Sequence, residues 1–282
     1  MQTLTNMFMP ITSAPFQSDV AYCEILPCDA LKPYIRCFWG TYRPVSVNPN
    51  QDNSSLVIPD ACMDMLFRTD YTNNTSIDYF CNLDLNSFWS SGLKNTVLTS
   101  TFGIRLYGWS AILFTDYNFK DDIFFTASDF SSQLKRELEP ILFDTVTLAD
   151  KIRIAEKFLL ERLNKSRINN DFLNSIYYII KNHANVRITD VCSYTGVSER
   201  KLQRIFEYNM GISPKAFSSI IRYQMLWKDI LFSPNYNVFD AVDKYGYTDQ
   251  SHLLNDFKSR HLMTVKDAVN YALSDFYNTK PL

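Results

Sequence analysis

Two stretches in the C-terminal part of the chain repeat the same order of apolar and polar positions. Residues 191–206 read VCSYTGVSERKLQRIF, and residues 241–257 read AVDKYGYTDQSHLLNDF. In each stretch a short segment leads to a glycine, Gly196 or Gly246, and an amphipathic segment follows it. Glycine is the residue that best tolerates the backbone of a tight turn after a helix. The repeat therefore predicts two helix-turn-helix units in tandem.

The pattern around the repeat is also helical. Apolar spacing predicts a helix over residues 172–181, a long helix between the two units from Pro214 to about Phe232, and a last helix over residues 264–272. Proline suits the first turn of the long helix, and Ser213 is its predicted N-cap. The long helix carries apolar residues that can pack against both units: Ile220, Ile221, Leu226, Ile230 and Leu231.

The first 130 residues follow a different pattern. Short apolar runs are separated by prolines and polar turn residues, which is typical of strands. The predicted strands cover residues 34–39, 54–58, 62–68, 95–101, 102–107 and 111–114. Their number and spacing favour a small β-barrel or sandwich.

Helical spacing returns after residue 130. Residues 130–138 predict a short helix that stops before Pro140, and residues 148–163 predict a longer one. We therefore expect an α+β chain with an all-α domain of two helix-turn-helix units joined by a long helix. The expected divisions are a β-rich domain over residues 1–165 with the 148–163 helix at its end, a polar linker over 166–170, and the all-α domain over 171–282.

In a helix-turn-helix the second helix enters the major groove of DNA, so its outward side chains are candidates for base and phosphate contacts. The first copy has a predicted buried stripe of Leu202, Ile205 and Phe206; the second has Leu253 and Phe257, one residue further from its glycine. The alternative is that the outward residues only solvate a surface helix. The candidate DNA contacts are Ser198, Arg200, Lys201, Gln203 and Arg204 in the first unit, and Gln250, Ser251, His252, Asn255 and Lys258 in the second.

Two residues of the second unit are less suited to contact DNA. Leu254 lies among its polar positions, where it either touches a thymine methyl group or extends the core, and we favour the core. Asp256 would be repelled by phosphates, so we expect it to point away from DNA.

These motifs resemble the AraC/XylS family of bacterial transcription regulators, over about residues 171–272. The resemblance implies a bipartite, sequence-specific DNA-binding domain that acts on promoter DNA, commonly as an activator, with RNA polymerase as a candidate contact. The residues that carry it are Cys192, Gly196, Ser198, Leu202, Arg204, Phe206, Gly211, Ser213, Pro214, Arg222, Gly246, Tyr247, Asp249, Ser251, His252, Phe257 and Lys258.

The second unit departs from the family pattern at three positions. Asn255 stands where the family usually has Arg or Lys, and Leu262 and Val265 stand where a Gly and a Pro usually close the unit. We therefore expect the first unit to carry more of the base readout.

Residues 56–68 and 101–109 resemble, more distantly, the cupin-like N-terminal domain of one AraC-type subgroup. This resemblance implies a β-barrel that binds a small effector or mediates dimerisation. Aromatic residues with an arginine anchor would suit such a pocket, and the alternative is that they only fill the barrel. The candidate pocket residues are Phe38, Trp39, Phe67, Arg68, Arg105, Tyr107 and Trp109.

Metal and enzyme chemistry have little support in the N-terminal half. The three histidines, His183, His252 and His261, all lie in the C-terminal half, and the six cysteines show no zinc-type spacing. We therefore expect no metal, no cofactor and no enzymatic activity, although a cupin-type enzyme with a DNA-binding appendage is the third interpretation. Cysteine-based sensing is an alternative to buried structural thiols.

The predicted 148–163 helix offers a candidate homodimer seam. Its apolar stripe comprises Ile152, Ala155, Leu159 and Leu163, together with Leu148 at its start. The alternative is that this stripe packs against the β-rich domain of its own chain.

Composition and charge agree with a globular regulator. The 282 residues are 46% hydrophobic and 21% charged, with a formal net charge of −2. Basic residues outnumber acidic ones only after about residue 170, which suits a DNA-facing C-terminal half. No signal peptide or membrane span is predicted, so we expect a cytoplasmic protein. An effector-controlled regulator is the leading interpretation, and a constitutive regulator is the second.

Overall fold

The computed structural model describes residues 1–12, 22–47, 55–90, 96–115, 119, 124–125 and 136–276. A short helix, α1 (Gln2–Met7), precedes the strands. The strands are β1 (Tyr22–Ile25), β2 (Ile35–Thr41), β3 (Val45–Ser46), β4 (Ser55–Val57), β5 (Cys62–Asp70), β6 (Thr75–Cys81), β7 (Phe88–Ser90), β8 (Leu98–Tyr107) and β9 (Phe124–Phe125).

The strands form two antiparallel sheets. The larger one has the order β1-β2-β8-β5-β6-β9, and β3 pairs with β8 beside this path. Strands β4 and β7 form a separate two-stranded sheet. The expected β-rich N-terminal region is confirmed, and among the described strand pairs none joins β9 to β1.

Strand β8 is the centre of the larger sheet, and it replaces two predicted strands. Residues 95–101 and 102–107 contribute to one strand, paired with β5 from Cys62↔Tyr107 to Asp70↔Thr99. The run at 111–114 is not a strand, because Ala111–Leu113 forms a 3-10 helix. Three consecutive apolar residues fit either structure, so the apolar pattern could not separate them.

Helices cover one side of the larger sheet. They are α2 (Glu139–Asp144) and α3 (Leu148–Arg162), and the predicted helix over 130–138 lies mostly outside the described residues. Thr147 caps α3 by accepting a hydrogen bond from the backbone N–H of Asp150 at 3.2 Å. A 3-10 turn at Lys165–Arg167 then leads to the C-terminal helices.

The C-terminal part is helical, as predicted. Among the described residues no helix has both the length and the apolar character needed to cross a bilayer. The helices are α4 (Asn170–Lys181), α5 (Ile188–Thr195), α6 (Glu199–Met210), α7 (Pro214–Phe232), α8 (Val238–Tyr245), α9 (Gln250–His261) and α10 (Val265–Phe276).

The β-rich and helical parts share their hydrophobic interior. One apolar cluster runs from sheet residues such as Phe38 and Phe102 through α4, α5 and α6 to Phe217, Ile220 and Ile221 of α7. A second cluster places Ile11, Leu56 and Ile58 against Leu226 and Trp227 of α7 and against α8, α9 and α10. Sequence patterning did not predict this shared packing, because it identifies apolar faces and not their partners.

Candidate DNA-binding surface

The first helix-turn-helix unit consists of α5 and α6. Helix α5 ends at Gly196, whose φ of 69° lies in the left-handed region. Ser198 then caps α6 by accepting a hydrogen bond from the backbone N–H of Lys201 at 3.3 Å. The predicted stripe of Leu202, Ile205 and Phe206 is buried. These local signals position α6 so that its other side faces outward.

The second unit, α8 and α9, repeats this construction with one more residue in the turn. Gly246 has a φ of 68°, and Asp249 caps α9 by accepting a hydrogen bond from the backbone N–H of His252 at 2.8 Å. Leu253 and Phe257 are fully buried, as predicted. Helix α9 ends at Leu262, which adopts a φ of 62° although it is not a glycine.

The connecting helix α7 braces both units. Ser213 caps it and Pro214 occupies its first turn, as predicted. Its first half packs in the cluster of the first unit, and its second half packs in the cluster of the second unit. Because one rigid helix takes part in both cores, the two reading helices, α6 and α9, are held in a fixed relation.

The candidate DNA contacts lie on the surface of the two reading helices. All of them are exposed except Gln203, which is partly buried. Besides the capping Ser198, three of them make polar contacts within the chain. Lys201 Nζ pairs with Asp171 at 2.7 Å, Gln203 donates to Glu207 at 2.7 Å, and Nδ1 of His252 accepts from the backbone N–H of Thr248 at 3.3 Å. His252 therefore stabilises the turn of its own unit.

Leu254 and Asp256 differ in their surroundings: Leu254 is exposed, and Asp256 is hydrogen-bonded within its own unit. Leu254 is 37% exposed, so the expectation that it extends the core is wrong. Asp256 accepts hydrogen bonds from the hydroxyl of Tyr247 at 2.8 Å and from Nε of Arg260 at 3.1 Å. The guanidinium of Arg222 lies 4.7 Å from the centre of the same Tyr247 ring. Asp256 is thus held by its own unit.

His261 is a buried residue of the second unit that sequence reasoning did not single out. It is 2% exposed, stacks on Phe257 at 5.0 Å between ring centres, and shares a hydrogen bond of 2.7 Å between Nδ1 and the hydroxyl of Tyr223. Burial lowers the pKa of His261 to about 4, so the ring is neutral at pH 7. The sequence signal for its burial is its spacing of four residues from Phe257 and eight from Leu253, which places it on the buried stripe of α9.

One segment of the β-rich part, residues 82–87 between β6 and β7, hydrogen-bonds to the C-terminal end of α9 and lies beside Gly211, which follows α6. Nη1 of Arg260 donates to the carbonyl oxygen of Leu85 at 3.1 Å, and the N–H of Ser87 donates to the carbonyl oxygen of Arg260 at 2.8 Å. At the end of α6, a Cβ on Gly211 would lie 3.0 Å from Nδ2 of Asn82. The 82–87 segment therefore lies against corresponding ends of the two units.

The candidate pocket residues are divided between the two faces of the larger sheet. Phe38 and Phe67 each stack on Phe102 at 6.1 Å between ring centres, within the core. Successive residues of a strand point to opposite faces, so Trp39 and Arg68 lie on the other side. Trp109 stacks on Tyr107 at 4.8 Å, and both are buried. The structure does not bring the seven residues around one cavity.

Arg105 is engaged by carboxylates on that other face. Its Nε lies 3.0 Å from Asp64 and 3.6 Å from Asp60, and its Nη1 lies 3.5 Å from Glu24. Burial, reinforced by the charges of Asp60 and Asp64, raises the pKa of Asp84 to about 7. With this many internal partners, Arg105 is poorly placed to anchor an external acid.

The candidate dimer stripe faces the interior of its own chain. Ile152, Ala155 and Leu159 are buried in the core that α3 shares with the sheet, and Leu163 is partly buried against it. A seam through these side chains would require α3 to leave the sheet.

The cysteines and possible metal ligands show no assembled site. The six cysteines are free, and burial raises the pKa of the Cys37, Cys62 and Cys81 thiols, which keeps them protonated at neutral pH. Within the described part of the chain, no group of three or more His, Cys, Asp or Glu residues is arranged to hold a metal ion.

Two family comparisons cover separate parts of the chain. Residues 191–270 match a helix-turn-helix domain family, which comprises both units from within α5 into α10. Residues 23–121 match a domain of unknown function, DUF6597, which spans the strands from β1 to β8. No curated protein matches the chain.

Solved structures with detectable similarity are distant. A probable AraC family transcriptional regulator from Rhodopseudomonas palustris is 22% identical, with coverage of 37% of this chain and 98% of that one and a TM-score of 0.33. ToxT from Vibrio cholerae O395 is 12% identical, with coverage of 83% and 98% and a TM-score of 0.41. Unsaturated fatty acid bound ToxT from Vibrio cholerae is 11% identical, with coverage of 82% and 94% and a TM-score of 0.40.

Proposed function

Residues 191–270 are a helix-turn-helix domain of the AraC type, and from this premise we propose that the chain regulates transcription by binding promoter DNA through both reading helices. One observation carries the proposal: two capped helices, α6 and α9, expose polar side chains while sharing the single bracing helix α7. Helices fixed in this way suit two major-groove segments separated by one helical turn of DNA, roughly 34 Å.

The exposed residues divide by chemistry into two roles. Arg200 and Arg204 can donate paired hydrogen bonds to guanine edges, whereas Lys258 suits phosphates as a point charge. Ser198 and Asp249 are used as helix caps, so their side chains are less free to contact DNA. The first unit offers two arginines on α6, and the corresponding surface of α9 offers the neutral Asn255. We therefore propose that α6 dominates base readout.

We further propose that the β-rich part binds a small effector and thereby regulates DNA binding by the helical part. The whole protein would act as a homodimeric activator that contacts RNA polymerase. The 82–87 segment supports the regulatory link because it hydrogen-bonds to Arg260 of the second unit and lies beside Gly211 of the first. A constitutive regulator is the second candidate, favoured by the packing of the aromatic candidates into the sheet core. The two differ in whether any small molecule changes DNA affinity.

DNA binding is tested by selecting duplexes from a random library and measuring affinity for the selected site by fluorescence anisotropy at several salt concentrations. Arg204→Ala should weaken binding by about tenfold and relax the sequence preference at one base pair. Lys258→Ala should weaken binding to all duplexes and lower the salt dependence by about one counterion.

A matched control is Arg153→Ala, because Arg153 is an exposed arginine on α3 and belongs to neither reading helix. It should leave affinity and salt dependence unchanged. Failure to select any duplex sequence, or an equal loss from Arg153→Ala and Arg204→Ala, would contradict the proposed DNA surface.

A further inference from the structure

The two reading helices differ in the arginines that they offer to DNA. Helix α6 carries Arg200 and Arg204, which are exposed and form no hydrogen bond or ion pair within the described part of the chain. Helix α9 carries a single arginine, Arg260. Its Nε pairs with Asp256 at 3.1 Å, and its Nη1 donates to the carbonyl oxygen of Leu85 at 3.1 Å. Because an arginine reads guanine through two of these donors, α9 has no arginine available for that contact.

The exposed side of α9 carries neutral side chains at the corresponding places. Leu254 and Asn255 are the fifth and sixth residues of α9, and both are exposed. Gln203 and Arg204 are the fifth and sixth residues of α6. Among the described residues, the amide of Asn255 has no hydrogen-bond partner. Since both helices follow a capped turn of the same kind, α9 presents an apolar group and an amide where α6 presents an amide and a guanidinium.

These two side chains match the two bases of A·T pairs. The amide of asparagine accepts from the N6 amino group of adenine and donates to its N7, which gives two hydrogen bonds in the major groove. Thymine presents a methyl group in the same groove, and a leucine side chain can bury it. Leu254 has no donor or acceptor, so it would leave the polar edge of a G·C pair without a partner.

Helix α9 also lacks a carboxylate that is available to cytosine. A carboxylate can accept from the N4 amino group of cytosine. Asp256 is paired with Arg260, and Asp249 accepts from the backbone N–H of His252 as the N-cap. Lys258 lies in the last turn, away from the N-terminal residues of a reading helix that contact base edges. The residues of the second unit that could select a G·C pair are therefore engaged within the chain or lie at the far end of α9.

We propose that α9 reads an A·T half-site, in which Asn255 pairs with an adenine and Leu254 packs on the methyl group of a neighbouring thymine. Leu254 is then a specificity-determining residue of the second unit. The full site has two unlike halves about one helical turn apart, a half with guanines under α6 and an A·T half under α9. This inference rests on the DNA binding proposed above and adds the base composition of each half-site.

The test uses the full chain and the duplex selected from a random library. The half-site whose sequence preference relaxes in Arg204→Ala is assigned to α6, and the other half-site is assigned to α9. Competition anisotropy then compares the wild type with Leu254→Ala and Leu273→Ala. Leu273 is an exposed leucine of α10, so its variant controls for truncation of a surface leucine. Each thymine is replaced in turn by deoxyuridine, which removes only the methyl group and leaves the protein unaltered.

One deoxyuridine in the α9 half-site should weaken binding by the wild type about fourfold, which corresponds to one buried methyl group. The same replacement should have no effect on binding by Leu254→Ala, whereas Leu273→Ala should respond as the wild type does. The methyl group and the side chain are removed separately and together, so the four affinities form a double-mutant cycle that isolates their contact. Thymines elsewhere in the duplex should give equal effects in the wild type and in Leu254→Ala.

The substitution Asn255→Arg provides a second readout. It places a guanidinium at the sixth position of α9, as in α6. The preferred base pair at one position of the α9 half-site should change from A·T to G·C, because arginine pairs with guanine. Selection from the random library with this variant measures the change.

Three results would overturn the A·T readout while leaving DNA binding itself supported. They are G·C pairs selected by the wild type throughout the α9 half-site, no effect of any deoxyuridine there, and an equal effect in the wild type and in Leu254→Ala. Failure to select any duplex would contradict the proposed function and this inference together, so the two failures are distinguishable.

Discussion

The side-chain amide of Gln224, in the middle of α7, donates a hydrogen bond to the carbonyl oxygen of Pro59 in the β-rich part, at 2.5 Å between nitrogen and oxygen. The same amide group donates to the carbonyl oxygen of Ile11 at 3.1 Å and accepts from its N–H at 2.8 Å. Gln224 is 2% exposed and lies where α7 passes from one apolar cluster to the other. One polar side chain therefore ties the bracing helix to two segments of the β-rich part.

The substitution Gln224→Leu should destabilise the whole chain by about 3 kcal/mol. It keeps a side chain of similar size but leaves the N–H and carbonyl of Ile11 and the carbonyl of Pro59 without these partners, and each unpaired buried group costs about 1–3 kcal/mol. Urea denaturation of the wild type and the variant measures the difference.

Lys228→Leu is the control, because Lys228 is an exposed residue of the same helix. It should change the free energy of unfolding by less than about 0.5 kcal/mol. Equal stability of Gln224→Leu and the wild type would contradict the importance of this contact between the two parts.

Leu262 closes the second unit in a backbone conformation that favours glycine. Its φ of 62° costs a residue with a Cβ about 1–2 kcal/mol, and its side chain is 49% exposed, so little buried contact is lost on truncation. Leu262→Gly should therefore stabilise the protein by about 1 kcal/mol, after the greater flexibility of glycine in the unfolded chain is included.

The matched control is Leu254→Gly, because Leu254 is a partly exposed leucine inside α9. Glycine there should destabilise the helix by about 1 kcal/mol. Chemical denaturation of both variants tests the opposite signs. Destabilisation by Leu262→Gly would show that its side-chain contacts outweigh the backbone strain.

The parts of the fold that were predicted correctly depend on neighbours in sequence. Ser198, Ser213 and the left-handed glycines act within one turn of their own helices, so their roles follow from local spacing. The stripes of α6 and α9 follow from helical periodicity for the same reason.

The parts that were missed depend on residues far apart in sequence. The Gln224 contact joins residues separated by 165 and 213 positions, and nothing near Gln224 indicates its partners. The seven pocket candidates were grouped by residue type, but strand alternation sends Phe38 and Trp39 to opposite faces. Lys151 carries no sequence signal for burial, because a lysine next to an apolar stripe is ordinarily exposed. It is buried instead.

The buried neutral His261 should make the second unit sensitive to acid. Its pKa is about 4 in the folded chain and about 6.5 when unfolded, so between these values the unfolded chain binds more protons. The contribution of neutral His261 to the free energy of unfolding is fully present above about pH 6.5 and is lost as the pH falls toward 4. The full loss attributable to this residue is about 3 kcal/mol.

The substitution His261→Phe isolates this contribution, because phenylalanine keeps an aromatic ring against Phe257 and does not titrate. The raised pKa of Asp84 makes the folded chain less stable as the pH rises, which is opposite to the effect of His261. Because both proteins contain Asp84, the test compares the free energy of unfolding of the wild type with that of the variant at each pH. Urea denaturation from pH 4 to 7.5 should show a steeper loss in the wild type. Parallel curves for the two proteins would exclude His261 as the source.

The two units should contribute unequally to base recognition. Arg204→Ala should weaken binding to the selected duplex by about tenfold, because an arginine that pairs with guanine contributes about 1–3 kcal/mol of discrimination. Asn255→Ala should have the smaller effect, since α9 offers a neutral side chain where the family usually has a cation. Competition anisotropy with single-base variants of the duplex measures both. A larger loss from Asn255→Ala would reverse the ranking.

Gly196 follows α5 and Gly211 follows α6, and the two glycines have almost the same backbone conformation. Of the two, Gly211 lies against the β-rich part. Their φ values are 73° and 69°, so alanine should cost each about 1 kcal/mol of backbone strain. A Cβ at Gly211 would also lie 2.3 Å from the carbonyl oxygen of Phe119, whereas nothing lies within 4 Å of one at Gly196.

Gly211→Ala should therefore destabilise the chain by about 1–3 kcal/mol more than Gly196→Ala, because either α6 or the segment that carries Phe119 must move. Urea denaturation of the two variants gives this difference directly, and backbone strain cancels in the comparison. Limited proteolysis should cut the β-rich part faster in Gly211→Ala alone. Equal destabilisation would mean that the first reading helix does not depend on its contact with the β-rich part.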